Sequence, residues 1–256
     1  MNLSKAVAFV TGAGQGLGRA TALRLAKQGA KVVVCDVNAE HAAATAAEIG
    51  AENSIVAAVD VTDAAAVKAS MDEAVARWGS LDVAVNCAGI LSAGRTHHPK
   101  KGPFDLEKFN NVLRVNVGGS FNVVRLASQL MAANAPDADG QRGVIVNTAS
   151  VAAMDGQIGQ VAYSASKGAI AGMTLPIARD LSMFGIRAMC VAPGLFHTPM
   201  LAALPDEARE SLCKMVPFPP RLGDPDEYAK MVQHICENTM LNGEIIRLDG
   251  AIRMQP

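Results

Sequence analysis

The sequence predicts one α/β domain, a doubly wound parallel sheet of about seven strands with helices on both faces. Three observations predict it. Short runs rich in Val and Ile alternate with longer amphipathic or Ala-rich stretches along the whole chain. Most of these runs lack polar alternation, as strands covered on both faces do. The 256 residues, half of them apolar, also fall within the length that one hydrophobic core can cover. Strand–helix repetition of this kind implies right-handed crossovers and a parallel sheet.

Taken in order, strands are expected at 6–11, 31–36, 54–60, 81–86, 143–149, 186–192 and 244–248. The clearest helix spans 64–78, with Val67, Met71, Val75 and Trp78 on one stripe and Thr62 as its N-cap. Two later helices, 105–134 and 163–184, are apolar or small on most faces. A helix apolar all round must be covered on all sides, and a sheet covers only one, so these two are expected to build a subunit interface. Two stretches break the rhythm. Residues 91–104 form a long loop carrying Arg95, His97, His98, Lys100 and Lys101. Residues 195–226 carry Pro199, Pro205, Pro217, Pro219, Pro220 and Pro225, and read as a substrate lid within the single domain 1–256.

The formal net charge of −1 offers no basic surplus for nucleic acid, and no apolar run is long enough to cross a bilayer. The five cysteines, Cys35, Cys87, Cys190, Cys213 and Cys236, are widely spaced and show no metal or redox spacing. They read as small buried residues in a reducing compartment. The N-terminus runs straight into the first apolar run, so the expectation is a soluble cytoplasmic protein. A mitochondrial matrix location without a cleaved presequence is the alternative.

The first strand ends in Thr11-Gly12-Ala13-Gly14-Gln15-Gly16-Leu17-Gly18, followed by a helical pattern to Lys27. Glycines after a strand let backbone amides approach a pyrophosphate, and the helix N-terminus adds partial positive charge. Gly12, Gln15, Gly16, Leu17 and Gly18 are therefore candidate phosphate-side residues of a Rossmann-like dinucleotide site. The second strand ends in Asp36, 18 residues after Gly18. A carboxylate there accepts both ribose hydroxyls of NAD and repels the extra phosphate of NADP. Gln15, Val37 and Asn38 supply no cation for that phosphate, so the expected cofactor is NAD. Asp60-Val61 and Asn86-Cys87-Ala88-Gly89 end the next two strands on the same sheet edge, where the first would hold the adenine and the second a ribose.

Tyr163-Ser164-Ala165-Ser166-Lys167 places a phenol and an ammonium four residues apart on one helix face. A phenol ordinarily titrates near 10 and is a poor base at neutral pH, but a nearby cation favours the phenolate. Ser150 lies 13 residues before Tyr163, and Asn116 lies within the preceding helix.

The Thr-Gly-x-x-x-Gly-x-Gly turn, Asn-x-Ala-Gly, Asn116, Ser150, Tyr-x-x-x-Lys and Pro193-Gly194 occur in an order that resembles the short-chain dehydrogenase/reductases over the whole chain. The resemblance implies that Tyr163 is the general acid/base and that Ser150 holds the carbonyl or hydroxyl oxygen. It implies that Lys167 binds the nicotinamide ribose and that Asn116 holds a water linking Lys167 to solvent. Thr198, just after Pro193-Gly194, would contact the carboxamide. The stretch 141–199, the 217–225 segment and the ending Arg247 to Pro256 are similar to one subgroup, the type II 3-hydroxyacyl-CoA dehydrogenases, as is the Lys100-Lys101-Gly102 insertion. That closer likeness implies a homotetramer acting on a short or branched 3-hydroxyacyl-CoA, with Gln157 and Gln160 lining the substrate site. His197, Met154-Asp155 and His97-His98-Pro99 depart from the subgroup's pattern.

The lid residues Leu195, Phe196, Met200, Leu201 and Leu204 suit an acyl chain or a steroid alike, and equally plain packing onto the sheet; Leu195 is placed at the substrate. Lys100 and Lys101 read either as a site for the phosphates of an acyl-CoA thioester or as a solvated loop. His197 faces substrate or stands exposed on the loop. The alternatives kept open are a 3-oxoacyl-carrier-protein reductase, a hydroxysteroid dehydrogenase and, from another class, a scaffold subunit with incidental catalysis. No metal site, nucleic-acid partner or membrane partner is expected.

Overall fold

The computed structural model describes residues 1–202 and 212–256. The elements run β1 (Val7–Thr11), α1 (Gly16–Lys27), β2 (Lys31–Asp36), α2 (Ala39–Ile49), β3 (Ser54–Ala58), α3 (Ala64–Trp78) and β4 (Val83–Asn86). There follow α4 (Leu106–Leu113), a π-helical turn (Arg114–Gly119), α5 (Ser120–Met131), β5 (Gly143–Thr148), α6 (Val161–Ser182), β6 (Ile186–Pro193), α7 (Pro225–Glu237) and β7 (Ile245–Leu248). The seven strands form one parallel sheet in the order β3-β2-β1-β4-β5-β6-β7. This is the single-domain, Rossmann-like doubly wound arrangement.

Alternation along the strands splits the core into two layers. Ala8 and Val10 of β1 face α1, α2 and α7, meeting Leu25, Ala42 and Val232. Val7 and Phe9 face the other way, onto Val67 and Met71 of α3 and Val123 of α5. Successive side chains of a strand point to opposite faces, so a strand buried on both must be apolar throughout. All five residues of β1 are buried.

Two cations, Lys167 and Arg187, are buried among the described residues, and Arg187 lies in the frame itself. Arg187 on β6 is buried and donates to the carbonyls of Ile235, Cys236 and Leu241 and to Gln141 Oε1, with no carboxylate among these partners. Its guanidinium thus satisfies carbonyls at the C-terminus of α7, where the helix dipole favours a cation. Burial holds its pKa below the usual guanidinium value. Arg187→Met keeps the apolar stem and orphans those acceptors, and should cost about 3 kcal/mol. A urea midpoint lowered at unchanged slope checks it; an unshifted midpoint would show the carbonyls find other partners.

Several expected boundaries move. Strand β3 ends at Ala58, leaving Asp60 beyond it, and β4 begins at Val83. Asp63, not Thr62, caps α3: the helix starts at Ala64, Asp63 Oδ1 accepts from the amides of Ala65 and Ala66, and Thr62 Oγ1 accepts from Arg114 instead. The helix expected over 105–134 is broken by the π turn. Cys87 falls just past β4 and is half-buried, like Cys213, while Cys35, Cys190 and Cys236 are buried. In the loop 91–104, His97–His98 pairs antiparallel with Gly102–Pro103, leaving Lys100 and Lys101 exposed at its tip. Among the described residues no helix is long and apolar enough to cross a membrane.

Candidate functional site

The sheet order reverses between β1 and β4, so the helices that follow these two strands go to opposite faces and open a crevice at the carboxyl edge. The glycine turn fills one wall. Gly12 has φ +61°, and a Cβ on it would lie 2.9 Å from the Ala88 nitrogen; one on Gly18 would lie 2.1 Å from the Gly12 carbonyl oxygen. Only glycine lets this turn pack against both β4's exit and its own helix. Thr11 Oγ1 accepts from the amides of Cys87 and Ala88, at 3.1 Å each, and so holds that exit in place.

Helices α2, α3, α4 and α7 are capped by Asn38, Asp63, Asp105 and Asp224. The side chain of Gln15, at the start of α1, makes no capping bond. The first turn of α1, at Gly16, Leu17 and Gly18, is therefore, like that of α6, without a side-chain acceptor, and beside the glycine turn an anion can take that place. Thr198 stands beside it: a Cβ on Gly16 would be 3.4 Å from Thr198 Cγ2.

Asp36 is already oriented by the turn. Its Oδ2 accepts from Gly14 N and its Oδ1 from Asn38 N, both at 2.9 Å. Val37 next to it is 76% exposed. Asp60 Oδ1 accepts from the amide and hydroxyl of Thr62. The Thr62 amide foremost, with its hydroxyl and the Arg114 charge adding, holds the Asp60 carboxyl below the usual range against the opposing effect of burial. Val61 is buried against Gly119. Asn86 is buried and donates to Asn147 Oδ1 at 2.9 Å, so its side chain ties β4 to β5, and Ala88 and Gly89 form the lip of the crevice.

The reactive groups come from three elements. Lys167 of α6 is 6% exposed and donates to the Thr148 carbonyl at the end of β5, at 2.7 Å. Its Nζ lies 5.6 Å from the centroid of the half-buried Tyr163 ring, one helical turn away. Asn116 sits in the π turn, a widened turn of the kind common at functional sites. Its Oδ1 accepts from Ile90 N at 2.8 Å; its Nδ2 donates to Ile90 O and Ser166 Oγ, at 2.9 Å each. Both groups converge on Gly89, where a Cβ would lie 3.3 Å from Asn116 Oδ1 and 3.7 Å from Lys167 Nζ. Ser150 follows β5, its Oγ accepting from Ala152 N at 3.1 Å, in a turn that packs on α6.

The substrate side differs more from expectation. Gln157 Nε2 donates to the Gln255 carbonyl at 2.9 Å, and Gln160 Nε2 reaches Gln157 Oε1 at 3.3 Å, so the two glutamines brace one another and the C-terminal segment. Asp155 pairs with Arg247, which also holds Asp249; the Arg247 hydrogen bond above all keeps the Asp155 carboxyl below its usual range. Phe196, expected on the lid, is buried in the core because Gly223 leaves room for its ring. Pro193 is buried, Gly194 N donates to Leu248 O, and Leu195 is half-buried. His197 is exposed. The expected lid residues Leu204 and Pro205 lie outside the described residues, as does the side chain of Met200.

Three contributors had not been singled out for their contacts: Thr11, which fixes β4's exit, Thr148, which anchors Lys167, and Ser166, which holds Asn116. Only Thr11, as the head of the glycine turn, had a signal in the sequence.

The glycine turn, the uncapped α1, the oriented Asp36 and the open lip at Gly89 together fit a dinucleotide lying along the sheet edge. The short chain dehydrogenase family model matches residues 6–209. A Drosophila melanogaster protein named 3-hydroxyacyl-CoA dehydrogenase type-2 is 56% identical over 255 residues, which is 99% of this chain and 100% of the relative. The crystal structure of a 3-hydroxyacyl-CoA dehydrogenase type-2 from Mycobacterium avium superposes with a TM-score of 0.95 at 38% identity, covering 99% of this chain and 98% of that one. A 3-ketoacyl-(acyl-carrier-protein) reductase from Brucella melitensis complexed with NADH gives 0.88 at 29% identity, covering 98% and 100%. With its fold, its glycine turn and nearly its whole length shared with these proteins, the chain belongs to the short-chain dehydrogenase family.

Proposed function

We propose that the protein is an NAD-dependent 3-hydroxyacyl-CoA dehydrogenase that interconverts a short or branched 3-hydroxyacyl-CoA and its 3-oxo form. The observation that carries this is the convergence of Lys167 and Asn116 on Gly89, one helical turn from Tyr163, beside the glycine turn. The full-length likeness to relatives of that name supports the substrate class. Gly12, Gln15, Gly16, Leu17 and Gly18 would hold the pyrophosphate, Asp36 and Val37 the adenine ribose, and Asp60 and Val61 the adenine. Ala88, Gly89, Lys167, Pro193, Gly194 and Thr198 would hold the nicotinamide half, with Asn86 supporting the lip. NAD, when bound, supplies the acceptor for the hydride of a secondary alcohol.

In the oxidation, Tyr163 takes the hydroxyl proton while Ser150 Oγ holds the same oxygen. The Lys167 ammonium, fixed by Thr148, stabilises the negative charge that the Tyr163 oxygen carries before it takes that proton. Asn116 holds the loop at Ile90 and places a water between Lys167 and solvent, through which the proton leaves. Leu195, Gln157 and Gln160 border the substrate, and Lys100-Lys101 meet the CoA phosphates. The exposed Leu106, Phe121, Val161, Leu175, Met183 and Phe184 on α4, α5, α6 and the residues just after it support a homotetramer built on these helices. Unpaired cysteines suit the cytoplasm or another reducing compartment.

The test is NADH oxidation with acetoacetyl-CoA, beside NADPH and a steroid ketone of similar bulk. Fast turnover with NADH and the thioester is expected. The second reading, a 3-oxoacyl-carrier-protein reductase, draws on the Brucella neighbour; it would be favoured by turnover of carrier-protein thioesters with NADPH, which the oriented Asp36 carboxylate opposes.

A further inference from the structure

Beneath Lys167 lies a buried polar cluster that the reaction as written does not use. Tyr228, in the first turn of α7, is fully buried, and its Oη lies 2.7 Å from Thr148 Oγ1. Thr148 Oγ1 also reaches Cys87 Sγ at 3.5 Å, and Cys87 Sγ reaches Tyr228 Oη at 3.7 Å, closing a ring of three side chains from β5, β4's exit and α7. Pairing of β4 with β5 stops at Asn86–Asn147, one residue short of Thr148, and the Thr148 carbonyl turns to Lys167. That carbonyl belongs to the residue whose hydroxyl Tyr228 holds.

We propose that Tyr228 is a positioning residue for the reaction: by holding the Thr148 hydroxyl it fixes the peptide whose carbonyl anchors the Lys167 ammonium. The proposal rests on the role given to Lys167 above. A buried phenol needs a hydrogen-bond partner, and a phenylalanine would fill the same space without one. Here the hydroxyl is spent on the one residue that touches the Lys167 ammonium from the strand side. The titratable groups around Lys167 are Tyr163 on its own helix, Cys87 at β4's exit and Cys190 on β6. Burial above all pushes the Tyr228 phenol and both thiols up, so all three stay neutral at working pH and Lys167 is the one cation of the cluster.

Tyr228→Phe is the test, with Thr148→Val as its partner and Thr148→Ser as the variant that keeps a hydroxyl. Loss of one hydrogen bond should lower turnover about threefold to tenfold and raise the pH of half-maximal alcohol oxidation by about half to one unit. KM for the thioester should be unchanged. Combining Tyr228→Phe with Thr148→Val should cost no more than either alone, because both break the same contact, and Thr148→Ser should retain most of the turnover. NADH binding followed by fluorescence and the thermal midpoint report on the fold separately from activity. A folded Tyr228→Phe enzyme with the parent's turnover and pH profile, or one with only a lowered midpoint, overturns the proposal. Lys167→Ala separates the two levels. If it abolishes turnover while Tyr228→Phe does nothing, the positioning role falls and the reading of Lys167 stands; if it leaves turnover intact, that reading falls first.

Discussion

Replacing Tyr163 by Phe should reduce turnover by about two to four orders of magnitude, the range that a positioned general acid/base contributes. The substitution is close to silent for the fold. Among the described residues the Tyr163 hydroxyl makes no hydrogen bond, so its removal orphans no partner, and the ring keeps its place one turn from Lys167. NADH affinity should stay within about tenfold of the parent, since a lost hydroxyl costs at most one hydrogen bond to the ribose side. The measurements are single-turnover NADH oxidation with acetoacetyl-CoA and a fluorescence titration of NADH on the same preparation. The contrast between them carries the interpretation: chemistry lost while binding is kept places Tyr163 in proton transfer. A variant that retains most of its turnover would move the acid/base role elsewhere, with Ser150 the next candidate.

What could be read in the chain and what could not divides along a physical line. The glycine turn and Asp36 were legible because each is forced by local geometry. No Cβ fits between Gly18 and the Gly12 carbonyl, and an acid ending the second strand of such a sheet stands beside the turn. The strands were legible because burial on both faces demands unbroken apolar runs. The π turn at Asn116 was not, because one extra residue in a turn leaves the apolar pattern nearly continuous over 105–134. The cap of α3 depended on competition, since Thr62 and Asp63 are both capping types and the threonine oxygen is taken by Arg114 from 52 residues away. Gln157 meets Gln255 across 98 residues and Thr148 meets Tyr228 across 80; contacts of that span leave no periodic trace. Phe196 shows the same limit, its place decided by the missing side chain of Gly223.

The second large effect is expected at Asp36, where Asp36→Asn tests charge with little change of shape. Asparagine keeps one oxygen for the Gly14 amide; its NH2 group cannot accept from the Asn38 amide, but that amide is exposed and turns to water, so the turn should hold. Two consequences follow from the lost charge. Hydrogen bonds from ribose hydroxyls to a carboxylate are charge-assisted and about twice as strong as neutral ones, so NADH affinity should fall about tenfold to a hundredfold. Repulsion toward the extra phosphate of NADPH disappears as well. Two like unit charges in contact near a protein surface oppose each other by about 4 kcal/mol at an effective dielectric near 20, before salt screening reduces it. The ratio of NADH to NADPH in kcat/KM should therefore drop by at least about a hundredfold, with most of the change in KM rather than kcat, because Asp36 stands at the ribose end and not at the reacting atoms. Raising the salt concentration should narrow the parent's preference in the same direction and leave the Asn variant nearly unaffected. An unchanged ratio in a variant with the parent's thermal midpoint would show that the ribose is read by the backbone of the β2–α2 turn, and that the Asp36 carboxylate serves only to brace Gly14 and Asn38.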